Sequence, residues 1–153
     1  MTSGRAPPLL VFGWGNLSRG DDALGPLCIE RLRARCTADA GVEFLDDYQL
    51  QVEHALDLVG RKRVLFVDAS LNCEAPFAVT QLHAEQDPSF TTHALSPQAL
   101  MQVFLDLQGV APPPCTLLAI RGELFELGDP PSALAVEHLN AATQWAQTWL
   151  QQG

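Results

Sequence analysis

Residues 9–25 place the tightest constraint on what this chain can fold into. An apolar run, Leu9-Leu10-Val11-Phe12, leads into Gly13-Trp14-Gly15-Asn16-Leu17-Ser18-Arg19-Gly20-Asp21-Asp22, and a helical pattern follows. Strand, glycine turn and helix is the layout of a loop that cradles a phosphate on a helix N-terminus. Here two adjacent carboxylates stand where the phosphate would sit. A carboxylate repels a phosphate, so the pattern points to a cation site instead.

The rest of the chain repeats the alternation. Strands are expected at Val42–Leu45, Val64–Asp68, Phe77–His83 and Thr116–Ile120. Val64–Asp68 is almost uninterrupted in its apolar character, as in a strand covered on both faces. Phe77–His83 alternates only partly and suits an edge. A helix is expected from about Asp22–Leu24 to Cys36, with Pro26 in its first turn, where a missing N–H does no harm. A short helix fits Glu53–Val59. Ser96-Pro97 is an N-cap followed by a first-turn proline, and Leu100, Val103, Phe104 and Leu107 form the stripe behind it. The last helix runs from about Ser132 to Leu150 with Ala135, Leu139, Ala142, Ala146 and Trp149 facing inward. Strands alternating with helices predict one α/β domain over residues 1–153. It should hold a twisted, mostly parallel sheet of about five strands with helices on both faces.

Eighteen acidic residues against nine Lys and Arg give a net charge of −9. That balance makes the chain a poor candidate for nucleic acid, whose backbone asks for clustered Lys and Arg, and leaves open a local basic patch for an acidic partner. Arg31/Arg33/Arg35 and Arg61-Lys62-Arg63 are small basic clusters, expected to be a solvated helix face and a loop. Met1–Pro8 has no apolar core of a secretory signal, and no run approaches the ~20 apolar residues of a membrane span. Cys28, Cys36, Cys73 and Cys115 contain no C-x-x-C pair; Cys28 and Cys36 lie on one helical stripe with Ile29 and Leu32, as small buried residues would. Reduced thiols and a cytoplasmic setting are expected.

In open parallel sheets, ligands bind beyond the carboxyl ends of the strands. Gly13, Gly15, Asn16, Asp21 and Asp22 follow the first strand; Asp46, Asp47 and Gln49 follow the second; Asp68 closes the third; His93 enters the Ser96 helix. Two carboxylates and an imidazole with room for water suit a borderline divalent metal able to polarise a carbonyl or activate water. Each residue also has a plainer role. Asp21 or Asp22 could cap a helix, Asp68 could fix a turn, and His93 could be a surface histidine. His54, His83 and His138 fit structural roles, with His138 solvated. What marks a site is convergence at one rim.

Other motifs fail on specific residues. A dinucleotide fingerprint has Ser18 where its third glycine belongs, and a P-loop over Gly15–Gly20 has Asp21 in place of its lysine. There is no G-x-S-x-G elbow, and Cys73 has no paired base in the sequence.

Three blocks then resemble the hydrogenase maturation endopeptidases. Phe12-Gly13-Trp14-Gly15-Asn16…Asp21-Asp22-Ala23-Leu24-Gly25 is similar to that family's N-terminal signature. Val67-Asp68-Ala69 is similar to its second block, and Thr91-Thr92-His93-Ala94-Leu95-Ser96-Pro97 to its third. Gly13–Asn16 and Asp47–His54 look most like the branch serving soluble, NAD-linked bidirectional hydrogenases. Some members have glutamate at the position of Asp22, a glycine-rich turn at Asp47-Tyr48-Gln49, or a histidine at Gln98.

The resemblance implies an endopeptidase that removes a C-terminal extension from the precursor large subunit of a nickel–iron hydrogenase after nickel insertion. It implies that Asp22, Asp68 and His93 are the metal-contacting, catalytic positions. The nickel would be carried by the substrate rather than held tightly by the enzyme. Gly13, Gly15, Asn16, Asp47 and Gln49 would form the loop that meets the substrate. A cytoplasmic monomer with no membrane or nucleic-acid partner is expected. The alternatives are a non-catalytic nucleotide-binding module and a metal-dependent hydrolase of another small substrate.

Overall fold

Leu9–Phe12 and Val64–Val67 are apolar on both sides, so these two strands must be covered twice, and the chain folds accordingly. The computed structural model describes residues 6–37, 40–86 and 95–152. Its strands are β1 (Leu9–Trp14), β2 (Val42–Asp47), β3 (Arg63–Ser70), β4 (Phe77–Gln81) and β5 (Cys115–Arg121). Its helices are α1 (Leu24–Arg35), α2 (Pro97–Gln108) and α3 (Ala133–Gln151). Two 3₁₀ turns, Gly20–Ala23 and Val52–Leu58, complete it. The second of these stands where a short helix was expected.

The five strands form one sheet in the order β2-β1-β3-β5-β4. All pairings are parallel except that of β4, which lies antiparallel at the edge beside β5. Leu9, Val11, Leu65, Val67, Leu118 and Ile120 face the layer built by α1 and α3. Leu10, Phe12, Trp14, Val64, Phe66 and Cys115 face the layer built by α2 and the Val52–Leu58 turn. The single-domain α/β fold with helices on both faces is therefore as expected.

Local chemistry sets the helix starts. Ser96 Oγ accepts from the N–H of Ala99, and Pro97 opens α2; Ser132 Oγ accepts from the N–H of Ala135 and starts α3. Gly109, at φ 69°, closes α2 in the left-handed conformation that glycine adopts without strain.

Several expectations need correction. Leu107 is exposed, because it sits in the final turn of α2, beyond the buried stretch that ends at Phe104. His138 is buried, not solvated. It lies three residues after Ala135 on the inward stripe of α3, and its ring Nδ1 pairs with the Arg121 carbonyl at 3.0 Å. Cys28 is fully buried, and burial pushes its thiol up to about 11, whereas Cys36 is only half-buried past the end of α1. The Arg31/Arg33/Arg35 cluster lies on the solvated side of α1 as expected, whereas Arg61 of the second cluster is buried. Arg31, Arg33 and Arg35 reach Asn140, the Phe44 carbonyl and Gln147. Arg61 is buried on Glu43 and the carbonyls of Asp57 and Pro7. Arg63 lies over the Trp149 ring at 4.2 Å and bonds the last carbonyls of α3. No helix among the described residues is long and apolar enough to cross a membrane.

One contact fixes how α1 meets the sheet. A Cβ on Gly25, in the first turn of α1, would lie 2.5 Å from the Trp14 carbonyl oxygen and 2.9 Å from that of Val67. Only a residue without a side chain lets α1 sit this close to both β1 and β3. Gly25→Ala is therefore expected to lower stability by on the order of 2 kcal/mol or more in a denaturant titration. A loss below about 0.5 kcal/mol would contradict the close-contact account.

Candidate active site

The strand order places the site. The connection from β1 through α1 leads to β2 on one side, and the chain then crosses to β3 on the other side of β1. The order therefore reverses between β1 and β3, and the crevice beyond their carboxyl ends is where open α/β sheets bind ligands. Gly13 pairs in register with Asp46 on β2 and with Val67 on β3, so Asp68 comes one residue later at the same rim.

The loop after β1 turns sharply to bring Asp22 there. Gly15 has φ 148°, and a Cβ on it would lie 2.0 Å from the Asp22 carbonyl oxygen. Its N–H donates to the Asp47 carbonyl at 3.0 Å. The Asn16 N–H donates to Asp22 Oδ2 at 2.8 Å, and Asn16 Oδ1 accepts from the Ser18 N–H at 2.8 Å. Asn16 thus shapes the loop. The room left by Gly13 and Gly15 is filled by the protein's own backbone, from Gly25 and Asp22.

Asp22 and Asp68 form an electrostatically strained pair. Burial pushes the Asp68 carboxyl up to about 7, a backbone N–H from Ala69 at 2.8 Å partly opposes this, and the negative charge of Asp22 pushes it further up. No Lys or Arg is paired with either carboxylate among the described residues. Two carboxylates beside each other without a cation are a poor resting arrangement and a good divalent-cation site. They fit a metal as an anionic oxygen pair. The described residues contain no group of three or more His, Cys, Asp or Glu that could hold a metal. His93, the expected third member, lies outside the described residues, which end at Gln86 and begin again at Leu95, just before the Ser96 cap of α2.

Asp21 does something different from its neighbour. It is fully buried. Its Oδ2 accepts from the N–H groups of Glu123 and Leu124 at 2.7 and 2.9 Å and from Ser132 Oγ at 2.8 Å; its Oδ1 accepts from the Ser132 N–H at 2.6 Å. Burial alone would raise this carboxyl, but the donors outweigh it and hold Asp21 below the usual carboxylate range. Neither carboxylate caps α1, whose N-cap is Ala23. The Asp21 partners lie about a hundred residues away in sequence, so no local pattern announces them.

Asp47 sits at the end of β2. Its Oδ1 accepts from the Tyr48 N–H, and its Oδ2 lies 3.2 Å from His54 Nε2. Because His54 Nδ1 accepts from the Gln51 N–H at 2.8 Å, the ring proton sits on Nε2 and points at Asp47. A cavity of about 280 Å³ opens here, lined by Gly15, Leu17, Pro26, Asp46, Asp47 and Tyr48. Gln49 is exposed at the same end. Cys73 donates to the Ala119 carbonyl at 3.5 Å. Sequence reasoning passed over the His54–Asp47 link, although their seven-residue separation across one short turn is a usable signal.

The fold is that of the hydrogenase maturation proteases. The solved nickel–iron hydrogenase maturation protease HycI from Thermococcus kodakarensis KOD1 superposes with a TM-score of 0.75 at 23% identity, covering 98% of this chain and 96% of that one. The hydrogenase-maturating endopeptidase HybD from Escherichia coli superposes with a TM-score of 0.75 at 24% identity, covering 94% and 91%. In sequence, the chain is 29% identical over 123 residues to the hydrogenase 2 maturation protease of Escherichia coli (strain K12), spanning 77% of this chain and 75% of that protein. No family model matches. The chain is thus similar in sequence and in fold to hydrogenase maturation proteases, a class of peptide-cleaving enzymes.

The Asp68 shift has a consequence for stability. The folded chain binds this proton more tightly than the unfolded chain, whose value is near 3.8. The stabilisation is therefore complete below that value and is lost as pH rises towards 7. Asp68→Asn, which keeps the acceptor but removes the charge, should match the parent near about pH 4 and exceed it near about pH 8 by a few kcal/mol, read as a rise in Tm of several degrees. A gain that does not change with pH would contradict the buried-carboxylate account.

Proposed function

We propose that this protein is an endopeptidase that removes a C-terminal extension from the precursor large subunit of a nickel–iron hydrogenase once nickel has been inserted. The observation that carries this reading is the Asp68 carboxyl, pushed up by burial and by the neighbouring Asp22 charge at the β1/β3 rim, with no Lys or Arg paired to either carboxylate among the described residues. Asp22 and Asp68 supply anionic oxygens and His93 an imidazole nitrogen, a set that suits Ni²⁺. The nickel arrives as part of the substrate, so an empty precursor offers the site nothing to hold. Cleavage adds water across the scissile peptide bond, leaving a carboxylate on the large subunit and a free amine on the released peptide. A water oriented by the substrate's nickel, or one that gives its proton to a carboxylate of the rim, would attack the scissile carbonyl.

The cavity beside Asp47 and Tyr48 is the surface along which the extension would lie, with Gly15 in its lining and the exposed Gln49 next in sequence to Tyr48. The resemblance of Asp47–His54 to the branch serving soluble, NAD-linked hydrogenases makes such an enzyme's large subunit the proposed partner. The chain would work as a cytoplasmic monomer. A nucleotide-binding role has no support from the loop, since the Asp22 carbonyl occupies the space behind Gly15 and its carboxylate faces the rim.

The test compares nickel-loaded and nickel-free precursor by intact mass. The loaded large subunit should lose its C-terminal peptide, and the empty one should not. Asp22→Ala, Asp68→Ala and His93→Ala should each lower kcat by on the order of 100-fold or more. Full-length loaded precursor after prolonged incubation with the parent enzyme would sink the protease reading. Retained activity in all three variants would reject the site.

A further inference from the structure

Asp21 is a buried carboxylate that the proposed chemistry does not use. We propose that it is a positioning residue: it straps the loop carrying Asp22 to the segment 122–132 and thereby fixes the Asp22 carboxylate against Asp68. For its kinetic consequence the proposal rests on the protease reading above.

The strap is two-sided. The four donors on the Asp21 carboxylate all come from Glu123, Leu124 and Ser132. The backbone returns the contact: the Asp21 N–H donates to the Leu124 carbonyl at 2.7 Å, the Gly20 N–H to the Asp129 carbonyl at 2.9 Å, and the Gly128 N–H to the Ser18 carbonyl at 2.7 Å. The fit is close enough to exclude side chains. A Cβ on Gly20, which has φ 53°, would lie 2.4 Å from the Leu124 carbonyl oxygen, and one on Gly122 would lie 2.9 Å from Asp21 Cβ.

Asp21 and Asp22 are consecutive in one 3₁₀ turn, Gly20–Ala23, so their side chains leave it about a third of a turn apart. One points into the clamp; the other accepts from the Asn16 N–H at 2.8 Å. An ionised carboxylate gathers several N–H and O–H donors at short distance in a way that a neutral group of the same size does not. An amide in its place has one acceptor oxygen and presents an NH₂ to the remaining donors.

The decisive variant is Asp21→Asn, compared with Ala146→Gly in α3, which loosens the fold far from the rim. The first readout is amide hydrogen exchange on the 15N-labelled protein and needs no substrate. The N–H groups of Glu123 and Leu124 should exchange about 10-fold faster or more, and so should that of Asn16, which reports on Asp22 rather than on Asp21. Ala146→Gly should leave the ratio of Asn16 to the core amides unchanged. The second readout is turnover of nickel-loaded precursor well below the melting temperature, where kcat should fall about 10-fold or more while KM stays within about 3-fold. Ser132→Ala, which removes one donor together with the cap bond from Ala135 and leaves the carboxylate, should show the same pattern at smaller size and, read against Ala146→Gly as the control for a loosened α3, serves if Asp21→Asn does not fold. Faster exchange at Glu123 and Leu124 with Asn16 unchanged, or undiminished kcat, would overturn the proposal. If the parent enzyme does not cut the loaded precursor, the protease reading fails, and the Asn16 exchange alone decides the role of Asp21.

Discussion

The approach of backbone to backbone at the end of β1 is the constraint on which the site depends. The Asp22 carbonyl stands where a side chain of residue 15 would begin, and the Trp14 and Val67 carbonyls stand where one of residue 25 would begin. With side chains at these two positions, α1 could not reach the switch point between β1 and β3. Asp22 would then be carried away from Asp68. The glycines that look, in sequence, like an opening for a ligand are filled by the protein itself, and what they admit is the first turn of α1.

That approach produces a conflict of charge that a cation carried by the proposed substrate would relieve. Burial and the neighbouring Asp22 both work against ionisation of Asp68, so the rim is costly to keep without a cation. A divalent ion relieves it. If the ion comes with the substrate, the same electrostatics that strain the free protein discriminate between loaded and empty partners. Asp21 lies next in sequence to Asp22 with the opposite outcome, because its charge is spread over four donors and it stays below the ordinary range.

Much of this was legible in the sequence wherever the cause is local. Leu9–Phe12 and Val64–Val67 are apolar without a break because both faces of β1 and β3 are covered, and Ser96 and Ser132 are caps whose bonds lie within three residues. The rim was legible because carboxyl ends of parallel strands share an edge, which carried Asp22 and Asp68 to one place. Long-range contacts were not legible. Asp21 could have been a helix cap until its partners at residues 123–132 were known. His138 looked solvated beside Glu137, although its spacing from Ala135 places it inward, against a carbonyl on β5. Leu107 continued an apolar stripe that the core of α2 does not extend far enough to cover.

The proposed cation site joins carboxylates from the β1 loop and from β3 with His93. Titration of the 15N-labelled protein with Ni²⁺ tests it directly, through paramagnetic broadening of nearby amide signals. The account predicts that the amides of Asn16, Asp22, Ala69 and His93 broaden together, and that they sharpen again when Asp22→Asn is combined with Asp68→Asn. Broadening centred elsewhere, on His83 or on the Asp47–His54 pair, with the rim amides unaffected, would contradict it.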